Sequence, residues 1–157
     1  MTDDQRLYED LIIGQVEQSG TLTVDREHMI DFAREYDPQY FHIDEEASKS
    51  SRFGDVIASG QYTMMLWRKL DHQISHDIAW ICGVGWDDVR WPVAVYAGDT
   101  LQARAWCISK RESSKDPTRG VVRFQYELRN QRNEVVFTSV STNLIERRGA
   151  PGDPPAA

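Results

Sequence analysis

The sequence predicts an α+β domain in which a five-stranded antiparallel sheet wraps around one long, buried helix. Three observations predict it. The run from about Ser59 to Leu70 has helical spacing and is apolar nearly all round in its first half, as expected of a helix enclosed by other structure. Four strand-like stretches follow, at about 80–91, 100–111, 119–129 and 134–145, the last three joined by short polar links. One strand and one amphipathic helix precede it, and a sheet closed over the long helix gives every apolar face a partner.

Each element has its own signal. Residues 1 to 15 mix polar side chains with Leu7, Tyr8, Leu11, Ile12 and Ile13, an arm expected to pack on the domain. From Gln15 to Val24, Leu22 and Val24 alternate with Thr21 and Thr23, which suits a strand. Asp25 stands where an N-cap belongs, because its carboxylate can accept the free N–H groups of the turn that follows. Met29, Ile30, Ala33 and Tyr36 then recur at helical spacing, and Pro38 ends that helix by pushing Asp37 out of the α region. The stretch after Pro38 reads as irregular. Ser59 is the expected N-cap of the long helix and Gly60 its first residue, whose N–H has no intrahelical partner. Val122, Phe124, Tyr126 and Leu128 alternate with Arg123, Gln125, Glu127 and Arg129, so that strand has one buried and one wet face. Links 113–118 and 130–133 carry the turn chemistry of antiparallel hairpins. The domain is expected to span residues 1–148, with a disordered tail, rich in Pro, Gly and Ala, over 149–157.

Composition narrows the class of function. The 157 residues suffice for one core, and 40% hydrophobic with 27% charged residues is the profile of a globular chain. A net charge of -7 with no basic stripe argues against nucleic acid. The acidic start Met1-Thr2-Asp3-Asp4-Gln5 and the lack of an 18-residue apolar run predict a soluble, cytoplasmic protein with no membrane partner. Cys82 and Cys107 form no metal or redox spacing and read as buried free thiols. His72 and His76 have the spacing of a metal pair, but no third ligand is evident and a polar helix end accounts for them. Neither metal nor cofactor is expected.

The segment Asp37-Pro38-Gln39-Tyr40-Phe41-His42-Ile43-Asp44 carries the chemistry. A carboxylate and an imidazole on one short stretch can move protons on two sides of a small substrate. Taken alone, the same residues read more readily as a turn cap and a core histidine.

The surrounding sequence resembles the MaoC-like dehydratases, which include the (R)-specific enoyl-CoA hydratases. The likeness runs from Phe32 to Gly60, with Asp37 five residues before His42, the amide Gln39 between them, Asp44 after, and an Ile57-Ala58-Ser59-Gly60 box opening the long helix. It continues through Gly83-Val84-Gly85, Val89-Arg90-Trp91 and Gly98-Asp99-Thr100-Leu101, covering roughly residues 20 to 146. Several separated motifs in order make it specific. Gln39 and Tyr40 stand where the commoner signature has Asn and Pro, Tyr36 replaces a small residue, and Val93, Ala94 and Ala97 lie where Arg and Pro are usual.

The resemblance implies a hot-dog fold, a homodimer or higher oligomer, and reversible hydration of a 2-enoyl thioester. The substrate would be an acyl-CoA, or less readily an acyl carrier protein thioester. Asp37 and His42 would form the acid/base pair, with the division of roles open. Gly60 N–H would stabilise negative charge on the thioester oxygen, or Gly60 simply permits close helix packing. Gln39, Tyr40, Phe41, Ser59 and Tyr62 would line the substrate, Tyr62 being equally at home in the core. Gly83 and Gly85 suggest a close approach by backbone or ligand. Arg104, Lys110, Arg111, Lys115 and Arg119 are the basic side chains on offer for coenzyme A phosphates. Two alternatives are an acyl-CoA thioesterase of the same fold and a non-catalytic or heteromeric partner subunit.

Overall fold

A computed structural model of the protein describes residues 5–148. The elements in chain order are β1 (Val16–Thr23), α1 (Arg26–Tyr36), α2 (Tyr40–Ile43), α3 (Glu45–Lys49), α4 (Gly60–Ser75), β2 (Trp80–Arg90), β3 (Thr100–Glu112), β4 (Arg119–Arg129) and β5 (Val135–Glu146). The strands form one sheet in the order β1-β3-β4-β5-β2, antiparallel at every step, and α4 packs on its inner face. This is the hot-dog fold.

The expected caps form. The Asp25 side chain accepts from His28 N–H at 2.7 Å, and Ser59 Oγ accepts from Tyr62 N–H at 3.1 Å. Met29, Ile30 and Ala33 of α1 are buried. Leu66, Trp67 and Leu70 of α4 meet Val122, Phe124, Tyr126 and Leu128 of β4 in the core, so β4 buries the face its alternation predicts. The arm packs as expected: Leu11 is buried and Arg6 pairs with Asp77 beyond the end of α4.

Three expectations need correction. The segment after Pro38 is helical in two short turns, α2 and α3, because Gln39 and Asp44 start new helices where Pro38 had stopped the old one. Asp44 accepts from both Glu46 and Ala47 N–H. The long helix runs past Leu70 to Ser75, because its buried stripe continues through polar Asp71 and Ser75, which bond to each other instead of to water. Cys82 is exposed, since β2 is an edge strand covered on few sides, whereas Cys107 is buried as expected. The pairing of β2 with β5 is interrupted at Gly83/Gly85, but a side chain at Gly85 would meet open space. The expected tail at 149–157 lies outside the described residues. Among those described, no helix is long and apolar enough to cross a membrane.

Candidate active site

Asp37 is the residue on which α1 ends. Its N–H donates to Ala33 O at 2.8 Å, after which Pro38 forces the chain away and Gln39 opens α2. One turn of α2 then brings His42 back toward Asp37. Nε2 of His42 lies 3.6 Å from Asp37 Oδ2, and the two side chains are 6% and 19% exposed. A five-residue spacing thus becomes a facing pair through one proline break and one helical turn.

Second contacts orient both members. His42 Nδ1 lies 2.8 Å from Ile57 O, and a carbonyl can only accept, so the Nδ1 proton is committed there. Neutral His42 therefore presents a bare Nε2 lone pair to a carboxylate oxygen. Gln39 Nε2 donates to Asp37 Oδ1 at 2.9 Å, leaving Oδ2 for the histidine side. Two acceptors facing at 3.6 Å cannot bond directly, but a water donating to either fits between their roles.

The Ile57 that holds His42 also begins the box leading into α4. Ile57 N–H donates to Phe41 O and Ala58 N–H to Val95 O, at 3.0 and 2.8 Å. Gly60 N–H finds no acceptor among the described residues, consistent with its place in the first turn. The requirement for glycine comes from Trp91. A Cβ at Gly60 would sit 3.0 Å from Trp91 Cε2, and the indole Nε1–H donates to Gly60 O at 2.9 Å. Trp91 belongs to the site, yet its role follows from a contact across 31 residues that no local pattern records.

The other expected lining residues divide. Phe41 packs edge-on against His42 with ring centres 4.5 Å apart, and Tyr40 stands exposed beside it. Ser59 is fully buried and spends its hydroxyl on the cap. Tyr62 is buried between α4 and α1, against Phe32 and His28, and burial raises the pKa of its phenol. Of the basic candidates, Arg111, Lys115 and Arg119 share a cleft with outer-face residues of β4 and β5, so this subunit does not bring them to the Asp37–His42 pair. Lys110 is engaged by the Tyr8 and Glu9 carbonyls. His72 and His76 are exposed, and no cluster with metal-binding geometry occurs among the described residues.

Comparison with known proteins fits this architecture. The family model described as MaoC like domain matches residues 10–127. The uncharacterized protein YdeM of Bacillus subtilis is 30% identical over 142 residues, 88% of this chain and 98% of its own. A MaoC-like dehydratase from Rhodospirillum rubrum is 34% identical with a TM-score of 0.85, over 92% of this chain and 99% of its own. An Archaeoglobus protein described as a monoamine oxidase regulatory protein is 29% identical with a TM-score of 0.84, over 92% and 97% of the two chains. Sequence, fold and motif order agree: the chain belongs to the MaoC-like hot-dog dehydratase and hydratase family.

Proposed function

We propose that the protein catalyses reversible addition of water across the C2–C3 double bond of a 2-enoyl thioester, an acyl-CoA in preference to an acyl carrier protein thioester. The observation that carries this reading is the pair of facing acceptors, His42 Nε2 and Asp37 Oδ2, each held by a second hydrogen bond. A water between them gives its oxygen to C3 and one proton to the pair, and the pair returns a proton to C2, so one H and one OH are added. Attack at C3 moves negative charge onto the thioester oxygen. Gly60 N–H, at the positive end of α4, is the donor for that charge.

A second copy of the chain completes the assembly in this proposal. β2 is an edge of the sheet, and Ile81, Val84 and Trp86 along it, with Trp91 just beyond, are exposed. An unpaired apolar edge of this kind is a pairing surface.

The purified protein should consume the conjugated absorbance of crotonyl-CoA or a longer 2-enoyl-CoA without releasing free thiol, and Asp37→Asn or His42→Ala should abolish the change. Thiol release without hydration would replace the reading by a thioesterase. Inactivity on every chain length would replace it by a partner-subunit role.

A further inference from the structure

Glycine is the loosest residue on which to mount a hydrogen-bond donor, because it has no side chain to restrict its backbone. Ser59 secures only part of the opening turn of α4: its Oγ accepts from Tyr62 N–H and its carbonyl from Thr63 N–H. Gly60 N–H and Gln61 N–H have no acceptor among the described residues. The donor proposed for the thioester oxygen is thus one that the cap does not hold.

Trp91 holds it instead. The indole Nε1–H donates to Gly60 O at 2.9 Å, and the ring lies against Gly60 with Cε2, Cδ2 and Cζ2 at 3.0 to 3.3 Å from where a Cβ would stand. Gly60 O and Gln61 N–H belong to one planar peptide, so fixing the oxygen fixes the direction of that N–H. The ring closes one side of Gly60, which leaves the preceding peptide, and with it Gly60 N–H, less room to turn. A carbonyl has two lone pairs, so the indole adds to the helical bonding of Gly60 O and does not compete with it. Burial alone does not explain this placement, since Trp91 lies just past the end of β2 and is still 44% exposed. Its second contact is with fully buried Phe137, ring centres 5.9 Å apart. The indole therefore bridges the core and the first turn of α4.

We infer that Trp91 is a positioning residue for the proposed hydration, holding the Gly60 N–H and the Gly60–Gln61 peptide in the direction that the thioester oxyanion needs. This rests on the proposed reaction for what the donor meets and adds what keeps the donor aimed. An oxyanion donor is effective because it is in place before the charge develops. That charge is largest in the transition state, so a loss of aim lowers kcat and leaves KM in place.

Trp91→Phe keeps a ring against Gly60 and Phe137 and removes the N–H. On crotonyl-CoA, or the longer 2-enoyl-CoA that the wild type hydrates best, kcat should fall about tenfold with KM unchanged. NMR relaxation should show the Gly60 and Gln61 amides losing order relative to the rest of α4. Gly60→Ala should cost far less activity in a Trp91→Ala background than in the wild type, because the added methyl no longer meets the indole. An unchanged kcat in Trp91→Phe, or unchanged order at the two amides, would overturn the inference. So would a loss that merely follows a lower unfolding midpoint or a smaller assembly, which would make Trp91 a packing residue. Should Trp91→Phe fail to fold, hydrogen exchange of the Trp91 indole N–H in the wild type decides, and exchange as fast as that of a free indole would overturn the assignment. A wild type inactive on every chain length, with amide order still lost in Trp91→Phe, defeats only the proposed reaction. Hydration by the wild type with both amides indifferent to Trp91→Phe defeats only the positioning.

Discussion

The two ends of α4 are finished in opposite ways. At the C-terminal end the last two carbonyls are taken: Ile74 O accepts from Arg6 at 2.9 Å, and Ser75 O accepts from Trp80 Nε1–H at 2.8 Å. Arg6 also pairs with Asp77 and Glu17, tying the N-terminal arm, the helix end and β1 together. At the N-terminal end Ser59 caps only Tyr62 N–H, while Gly60 N–H stays open beside Trp91, and the nearby Tyr36, Tyr40 and Phe53 are exposed. One end has its last carbonyls satisfied by the fold, and the other keeps a donor unspent among the described residues. An unspent donor is a cost to stability that makes sense where a ligand supplies the acceptor.

The sharpest way to break the comparison is Gly60→Ala. The added methyl meets Trp91 Cε2 at 3.0 Å, so the indole or the first turn must shift. Turnover on a 2-enoyl-CoA should fall by up to about 100-fold, the low end of the cost of losing an oxyanion donor, because alanine keeps the N–H but the shifted turn moves it. The unfolding midpoint should change little, because alanine's better helix propensity offsets part of the strain. Activity and stability lost in proportion would make Gly60 a packing residue only.

Arg6→Met attacks the other end. Arg6 is partly exposed, so solvent screening reduces what its ion pairs contribute, but it also satisfies a helix carbonyl. Urea unfolding should show a loss of about 1–2 kcal/mol, with turnover per folded molecule unchanged. A matching loss of turnover would show that the arm supports the site. Ser59→Ala comes next, with a loss of about 1 kcal/mol expected of an N-cap and a modest rise in KM as the first turn loosens.

How far these ends were legible follows from which signals are local. Asp25, Pro38, Ser59 and the alternation of β4 act on their own neighbours, so caps, helix stop and buried face could be read directly. Asp37, Gln39 and His42 stand out in the sequence as candidates only because family motifs surround them, while their facing geometry depends on α2, a turn hidden behind the proline. What stayed unread depends on distant partners. Trp91 on Gly60, Arg6 on Asp77 and Ile57 O on His42 join residues 31, 71 and 15 apart. The sequence under-reads the length of α4 because Asp71 and Ser75 look like surface residues until Arg68 and the core are placed beside them.

The smallest expected effect concerns Asp71 and Asp77, which titrate in opposite senses near the same helix end. Arg6 lowers the pKa of Asp77 below its ordinary 3.8, so the stability it contributes is present above that value and is lost as pH falls through the lowered one. Burial raises the pKa of Asp71 despite Arg68, so its ionisation costs the native state. Relative stability at Asp71 is greatest below 3.8 and declines as pH rises through its raised folded value. Asp71→Asn removes that titration while keeping a polar group beside Ser75. Unfolding free energies measured from pH 3 to 7 should therefore show the variant gaining on the wild type as pH rises. Arg6→Met should lose least, relative to the wild type, at the acid end. A gap that stays flat for Asp71→Asn would mean that Arg68 fully compensates the buried charge, leaving Asp77 as the group of this helix end whose titration moves stability.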